Sequence, residues 1–174
     1  FPGAPWLGNS TSGNIVDCEV APDISISAVI FEKKTTRFMV KQFEYSKMTL
    51  AEISNEILLI CQKNPWVKAI EMYHSISSFS TTTLCESIDA FPSNVQVFGG
   101  VACSLDITSP NSCVFSSAGG YSRSALLMLF FGGEEFYVEA RKISGWKPIG
   151  RNFHVTRADK NIIYELDCIP AYEI

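Results

Sequence analysis

A stretch near the middle of the chain has a looser copy at its start. FPSNVQVFGGVACS (residues 91–104) and FPGAPWLGNSTSG (residues 1–13) both open with Phe-Pro, pass through a short apolar segment and reach a glycine, Gly99 or Gly8. A loop of small residues follows in each copy. The chain is therefore expected to contain two related halves. The alternative is coincidence, because many mixed α/β chains place a strand, a glycine loop and a hairpin in this order.

The similarity continues downstream of each copy. SAVIFEKKTTRFMV (residues 27–40) aligns with SALLMLFFGGEEFYV (residues 124–138), and both read as an apolar strand, a polar turn and an alternating strand. A period of about 90 residues is too long for a solenoid repeat. We therefore predict a single domain of two fused half-repeats, residues 1–65 and 66–174.

Length and charge limit the class of protein. A chain of 174 residues is long enough to bury one substantial core. Its 14 basic and 18 acidic residues give a net charge of −4 without a basic stripe, which argues against nucleic acid or an anionic membrane as the partner. No apolar run approaches the roughly 20 residues that a membrane span requires.

The cysteines predict a compartment rather than a metal site. There is no CxxC pair, and no histidine stands at metal-ligand spacing. We expect buried thiols in a reducing cytosol, without disulfides, metal or cofactor. The six positions are Cys18, Cys61, Cys85, Cys103, Cys113 and Cys168.

The first residue is not methionine. The chain begins on the Phe-Pro that, in the second copy, follows a helix. We therefore expect a segment of a longer protein that lacks a preceding strand and helix. Phe1 would then lie beside a bare sheet edge, and such an edge favours pairing with another chain as a homodimer.

Strand and helix patterns alternate along the chain and predict an α/β (α+β) fold. Thr49 and Glu52 form a capping box that starts a helix, and Asn64-Pro65 ends it. Helices between strands favour parallel pairs and hairpins add antiparallel ones, so we predict a mixed sheet with flanking helices. The predicted strands are Ile24–Phe31, Arg37–Phe43, Val67–Tyr73, Val95–Phe98, Cys113–Ala118, Ala125–Phe131, Phe136–Ile143, Asn152–Thr156 and Ile162–Leu166, with a second helix from Thr83.

The end of the chain resembles a known family. GWKPIGRNFHVTRADKNIIYELDCIPAYEI (residues 145–174) is similar to the closing stretch of the FIST domain, with its Gly-Trp/Cys-x-Pro-Ile-Gly turn, Val-Thr strand and Leu-Asp-x-x-Pro-Ala ending. GNSTSGNI and VFGGVA resemble the two glycine loops of that family. Two positions depart from the pattern: Cys168 stands where glycine is frequent, and Ser144 where histidine is common.

The resemblance implies a function. FIST domains are intracellular sensory modules, usually N-terminal to an output domain such as a diguanylate cyclase (GGDEF), a methyl-accepting segment or a histidine kinase. It therefore implies a non-catalytic domain that binds a small ligand, with amino acids proposed for the family.

A ligand pocket is predicted where the two glycine loops meet the Trp146 turn. Small residues after a strand let backbone N–H groups approach a ligand closely. Lys147 and Arg157 would neutralise a carboxylate, and Trp146 would face an ammonium group. The loop residues are Gly8, Ser10, Thr11, Gly99 and Gly100, with His74 and Ser75 as secondary contributors. The alternatives are that Trp146 plugs the edge of the core and that both cations are solvated.

Two other classes of function stay open. A hydrolase would use Ser10 as nucleophile with Asp106 and His154, although Gly8-Asn9-Ser10-Thr11-Ser12 lacks the final glycine of GxSxG. Cys103 is a second candidate nucleophile, with nothing nearby in sequence to lower its pKa. The third class is an interaction module without any ligand, in which the loops only close the fold.

Overall fold

The structure of the chain is a computed structural model that describes residues 3–21, 24–75, 81–87, 91–104, 111–141, 145–159 and 162–174. Two compact units are present, Phe1–Ala140 and Arg141–Ile174. The prediction of half-repeats that join at residue 65 stays a prediction. The predicted sheet edge beside Phe1 lies outside the described residues.

The first unit contains nine strands and two helices among the described residues. In chain order they are β1 (Leu7–Asn9), β2 (Asn14–Val16), β3 (Glu19–Ala21), β4 (Arg37–Glu44), α1 (Leu50–Lys63), β5 (Val67–Ser75), α2 (Thr81–Ser87), β6 (Gln96–Ala102), β7 (Val114–Ser116), β8 (Gly120–Ser122) and β9 (Ala125–Gly132). The second unit contains β10 (Val155–Asp159), β11 (Ile162–Leu166), β12 (Ile169–Pro170) and a 3₁₀ turn (Ala171–Glu173).

The main sheet is mixed, as predicted. Its strand order is β4-β9-β5-β6, with β9 antiparallel to both of its neighbours and β5 parallel to β6. The parallel pair needs a crossover, and α2 lies in the chain between β5 and β6. The carboxyl ends of β5 and β6 therefore lie side by side, and Ser75 is paired with Ala102.

Helix α1 begins and ends where the sequence indicates. The Thr49 hydroxyl accepts a hydrogen bond from the Glu52 amide at 3.3 Å, and the Glu52 carboxylate accepts one from the Thr49 amide at 2.8 Å. At the other end, the Asn64 side chain donates to the Ile60 carbonyl at 2.8 Å and accepts from the Trp66 indole at 2.9 Å. These contacts satisfy backbone groups that a helix end leaves without partners.

The two helices pack on one face of the main sheet. Every second residue of β9 reaches that face, because side chains alternate along a strand. The apolar stripe of α1 and Leu84 of α2 complete the core there. The buried members of this core are Phe43, Ile53, Ile57, Ile60, Cys61, Val67, Ile70, Leu84, Val95, Leu126, Met128 and Phe130.

A small three-stranded sheet, β1-β7-β8, packs on part of the opposite face. Its Val114 lies in a second buried cluster with Ala102, Ala125 and Leu127 of the main sheet. Polar contacts flank this cluster. Ser116 donates to the Gln42 side chain and Ser122 to the Glu44 carboxylate, both at 2.7 Å. The small sheet therefore covers the end of the main sheet at which β5 and β6 finish.

The predicted hairpin of Ile24–Phe31 with Arg37–Phe43 is wrong. Residues 24–31 form no strand, and Ile24 and Ile26 are about nine-tenths exposed. β4 pairs instead along its full length with β9, which is distant in sequence and wholly apolar except for its final glycine. The strand predicted from Phe136 is also absent over residues 136–141. Nonlocal pairing with a buried strand has prevailed over local strand propensity.

Two short hairpins have the same dipeptide, Asp-Cys, at the turn. β2 and β3 are joined by Asp17-Cys18, with φ of 51° and 67°, and β11 and β12 by Asp167-Cys168, with φ of 52° and 63°. Positive φ at both central residues is typical of the two-residue turn whose twist matches that of the hairpin strands. Glycine is favoured in such a turn. Cys168 therefore occupies a left-handed backbone position, which glycine adopts at a lower cost than cysteine.

Cys168→Gly is expected to stabilise the β11-β12 hairpin by about 1 kcal/mol, because glycine removes the cost of a left-handed Cβ. Cys168→Ala is the control, since it removes the thiol and keeps the strain, and it should be neutral. Amide hydrogen exchange across residues 162–170 measures the effect. Equal protection factors in the glycine and alanine variants would contradict this account.

The duplication is not shown by the topology. β1 lies in the small sheet antiparallel to β7, whereas β6, the equivalent strand of the second copy, lies in the main sheet parallel to β5. The downstream segments differ as well. Residues 24–31 of the first copy form no strand, whereas the corresponding segment of the second copy forms β9.

The second unit consists mainly of a meander of three antiparallel strands in the order β10-β11-β12. Arg157 of β10 forms an ion pair with Glu165 of β11 at 3.1 Å and lies over the Tyr164 ring, 5.1 Å from its centre. Just before β10, the His154 amide donates to the Asp167 carboxylate at 2.8 Å. None of the helices in the described part of the chain has the length and hydrophobicity needed to cross a bilayer.

Candidate functional site

Ser10 joins the two glycine-loop strands. Its amide donates to the Cys113 carbonyl, its carbonyl accepts from the Cys103 amide, and its hydroxyl accepts from the Cys113 amide, all at 2.9 Å. Cys103 directly follows β6, and Cys113 directly precedes β7. Ser10 therefore holds the end of β1 against the end of β6.

Ser75 and His74 end β5 beside this junction, and both are buried. The Ser75 hydroxyl accepts from the Ala125 amide at 3.1 Å and so ties β5 to the start of β9. The His74 ring lies 3.2 Å from the Ser75 carbonyl through Nδ1 and 3.1 Å from the Thr81 hydroxyl through Nε2. Burial lowers the pKa of His74, and the contact with Ser75 only partly opposes that effect. The ring is therefore neutral at pH 7.

Ser112 is the one described serine at this end of the sheet whose hydroxyl is both buried and without a hydrogen-bond partner. The residue is 3% exposed and stands next to Cys113. Burial alternates through Ser112, Val114 and Ser116, so Ser112 lies on the side of β7 that faces the main sheet. A buried hydroxyl without a partner costs roughly 1–3 kcal/mol, which a bound polar group would offset.

The glycines of the second loop differ in their surroundings. A Cβ on Gly99 would lie 1.8 Å from the Met72 carbonyl oxygen, and its φ of +149° is itself unfavourable for other residues. A Cβ on Gly100 would only touch the Tyr73 ring at 3.8 Å. In the first loop, Gly8 lies under the Phe115 ring, where a Cβ would meet the ring at 2.4 Å. Close contact with backbone thus requires glycine at position 99, whereas a side chain at position 8 would need the Phe115 ring to shift.

The other predicted site residues lie at the surface. Thr11 forms a local turn in which its hydroxyl donates to the Gly13 carbonyl at 2.8 Å. Trp146 is 93% exposed. Lys147 is exposed, and the Arg157 charge is already paired with Glu165. These last three residues belong to the second unit, and their part in a ligand site stays a prediction.

The hydrolase arrangement gains no support from the described residues. The Ser10 hydroxyl accepts from a backbone amide, and the His74 ring contacts Ser75 and Thr81 instead. Asp106 lies outside the described residues, and His154 belongs to the second unit. Cys103 is exposed, with its thiol 3.5 Å from the Val101 carbonyl.

The prediction of buried thiols holds for one cysteine. Cys61 is buried in the core, and burial raises the pKa of its thiol. Cys18, Cys85, Cys103 and Cys168 are exposed, because they stand at turns, at a loop and on the outer side of α2. All six thiols are free. In the described part of the chain, no group of three or more His, Cys, Asp or Glu side chains could hold a metal ion.

Ser112 is not among the site residues predicted from the sequence. The strand was predicted for residues 113–118, and the segment NSCVFS (residues 111–116) has no regular alternation of polar and apolar residues that would mark Ser112 as an inward position. The pattern predicted a strand, but not that the first inward hydroxyl would be left without a partner.

The fold and this junction define a mixed α+β domain with its polar cluster at the carboxyl ends of two parallel strands. The family model of the FIST N domain matches residues 1–169, nearly the whole chain. The protein therefore belongs to the FIST family of sensory domains. Neither a curated protein nor a solved structure matches it.

Proposed function

We propose that this domain is the sensory part of a signalling protein and binds a small, amino-acid-like metabolite at the carboxyl ends of β5 and β6. The observation that carries the proposal is the buried, unpartnered hydroxyl of Ser112 beside the Ser10 junction. Ligands of open α/β sheets collect at the carboxyl ends of parallel strands. The family is one of sensory domains, which supports recognition rather than catalysis.

The neighbouring polar groups fit a ligand bound through few, directed hydrogen bonds. Ser10, Ser75 and His74 are engaged with the protein and hold the strand ends in place. Ser112 is free to donate to a carboxylate or carbonyl oxygen of the ligand. Binding would then act on an attached output domain, such as a diguanylate cyclase, by stabilising one arrangement of these strand ends.

A thermal-shift screen of amino acids and related metabolites tests the proposal. A ligand at about 100 times its dissociation constant adds roughly 2.7 kcal/mol, which corresponds to a rise of roughly 5–10 °C for a chain of this size. Ser112→Ala should abolish the shift. Because it removes an unsatisfied buried hydroxyl, it should leave the unliganded melting temperature equal or higher.

Ser54→Ala is the matched control, since Ser54 is also a buried serine but lies on α1. It should keep the ligand-induced shift. A flat screen with every metabolite would favour the interaction module without a ligand. A full shift in the Ser112 variant would place the ligand elsewhere.

A further inference from the structure

The sheet face opposite α1 carries a row of phenylalanines beyond the part that the small sheet covers. On β9, Leu126, Met128 and Phe130 reach the helix side, so Leu129 and Phe131 reach the other side. The register sets Phe38 beside Phe131, and Glu71 beside both Leu129 and Phe98. We call these five side chains the open face: Phe38, Glu71, Phe98, Leu129 and Phe131.

Two aromatic rings of the open face contact each other across β5. Phe98 and Phe131 meet edge to face, with ring centres 5.9 Å apart, above Ala69. Phe136 packs on the far side of Phe131 in the same manner, at 5.7 Å. Phe98 is 36% and Phe38 46% exposed, so solvent reaches this row of rings.

Glu71 places a carboxylate beside these rings. It is half-buried, and its described partner is the Tyr73 hydroxyl, which donates to it at 2.5 Å. The pKa of Tyr73 is raised mainly by desolvation and, to a smaller extent, by the neighbouring Glu71 carboxylate, so the phenol remains a proton donor. No Lys or Arg side chain of the described residues forms an ion pair with Glu71. Within that part of the chain, the negative charge therefore stands beside apolar surface without a counter-charge.

We propose that the open face binds an organic cation, namely an ammonium group on an apolar tail. Glu71 would supply the counter-charge, and the rings of Phe98 and Phe131 would supply aromatic surface to the cation and its tail. Aromatic faces attract ammonium groups, and a half-buried carboxylate gains most from a partner that is itself poorly hydrated.

This site differs from the one proposed for the sensory ligand. Glu71 and Ser75 lie on the same face of β5, four residues apart. This spacing corresponds to about 13 Å along the strand. Ser112→Ala should therefore leave cation binding unchanged, and the two proposals can fail independently.

Titration calorimetry with phenethylammonium and its neutral isostere 2-phenylethanol tests the cation site. The wild-type protein should bind the ammonium compound about tenfold more tightly than the alcohol. Glu71→Gln keeps an oxygen that can accept from Tyr73, and it should remove this preference. Phe98→Leu keeps the apolar surface but loses the ring, and it should weaken ammonium binding about fivefold.

Glu86→Gln is the matched control, because it removes one carboxylate from the exposed side of α2 and should change nothing. An ammonium preference that survives in Glu71→Gln, or the absence of any preference in the wild type, overturns the proposal. A dimer in light scattering that either Glu71→Gln or Phe98→Leu dissociates would also overturn it, because the face would then be a protein interface.

Discussion

Gly99→Ala should destabilise the first unit by about 3 kcal/mol or more, whereas Gly100→Ala should cost less than about 1 kcal/mol. The two glycines are adjacent on β6 and share its exposure to solvent. A methyl group on Gly99 would overlap the Met72 carbonyl oxygen, which is backbone of the paired strand and cannot move without breaking the β5-β6 ladder. The positive φ adds a further cost. Gly100 offers room beside the Tyr73 ring.

Urea unfolding followed by circular dichroism measures both variants against the wild type. The comparison also separates two roles of the glycine pair. If the pair served only the close approach of a ligand, both alanine variants would fold normally and lose binding. Equal stability of the two variants would contradict the steric role of Gly99.

Ile57→Ala should cost about 2–5 kcal/mol, because Ile57 is 1% exposed at the centre of the contact between α1 and the main sheet. Leu59→Ala is the control on the same helix. Leu59 is 50% exposed, and its truncation should cost less than about 1 kcal/mol. Both substitutions place alanine in a helix, so helix propensity contributes little to the difference.

The same urea unfolding measurement applies to this pair. A loss in Ile57→Ala as small as that in Leu59→Ala would show that α1 does not contribute its apolar stripe to the core. The assignment of the α1 residues to the core of the first unit would then be wrong.

Local signals predicted those parts of the fold that local contacts form. The Thr49 capping box and Asn64-Pro65 fixed the ends of α1, and β5 was predicted to within two residues of its end. Ile24–Phe31 has equally good strand composition, yet it forms no strand. Its expected partner, β4, is taken by β9, and no pattern within residues 24–44 carries that information.

The candidate site was predictable only in part, for a similar reason. Small residues after a strand pointed to Ser10 and to the end of β6, and the structure joins them through the Cys103 amide. The sequence could not distinguish a glycine that admits a ligand from one that admits a neighbouring carbonyl, and Gly99 is of the second kind. Ser112 was missed because an unsatisfied hydroxyl is a property of its surroundings rather than of its own sequence.

The position of β9 between β4 and β5 determines when the main sheet can assemble. Neither β4 nor β5 has its antiparallel partner until Ala125–Gly132 has been synthesised, about 80 residues after the end of β4. At roughly 5–20 residues per second, the wait on the ribosome is roughly 4–16 s. Phe43 lacks the strand that buries it throughout this wait, and Ile70 lacks it from the moment that β5 is synthesised. Nascent chains of this domain are therefore expected to depend on chaperones until β9 emerges, because such exposed strands readily aggregate.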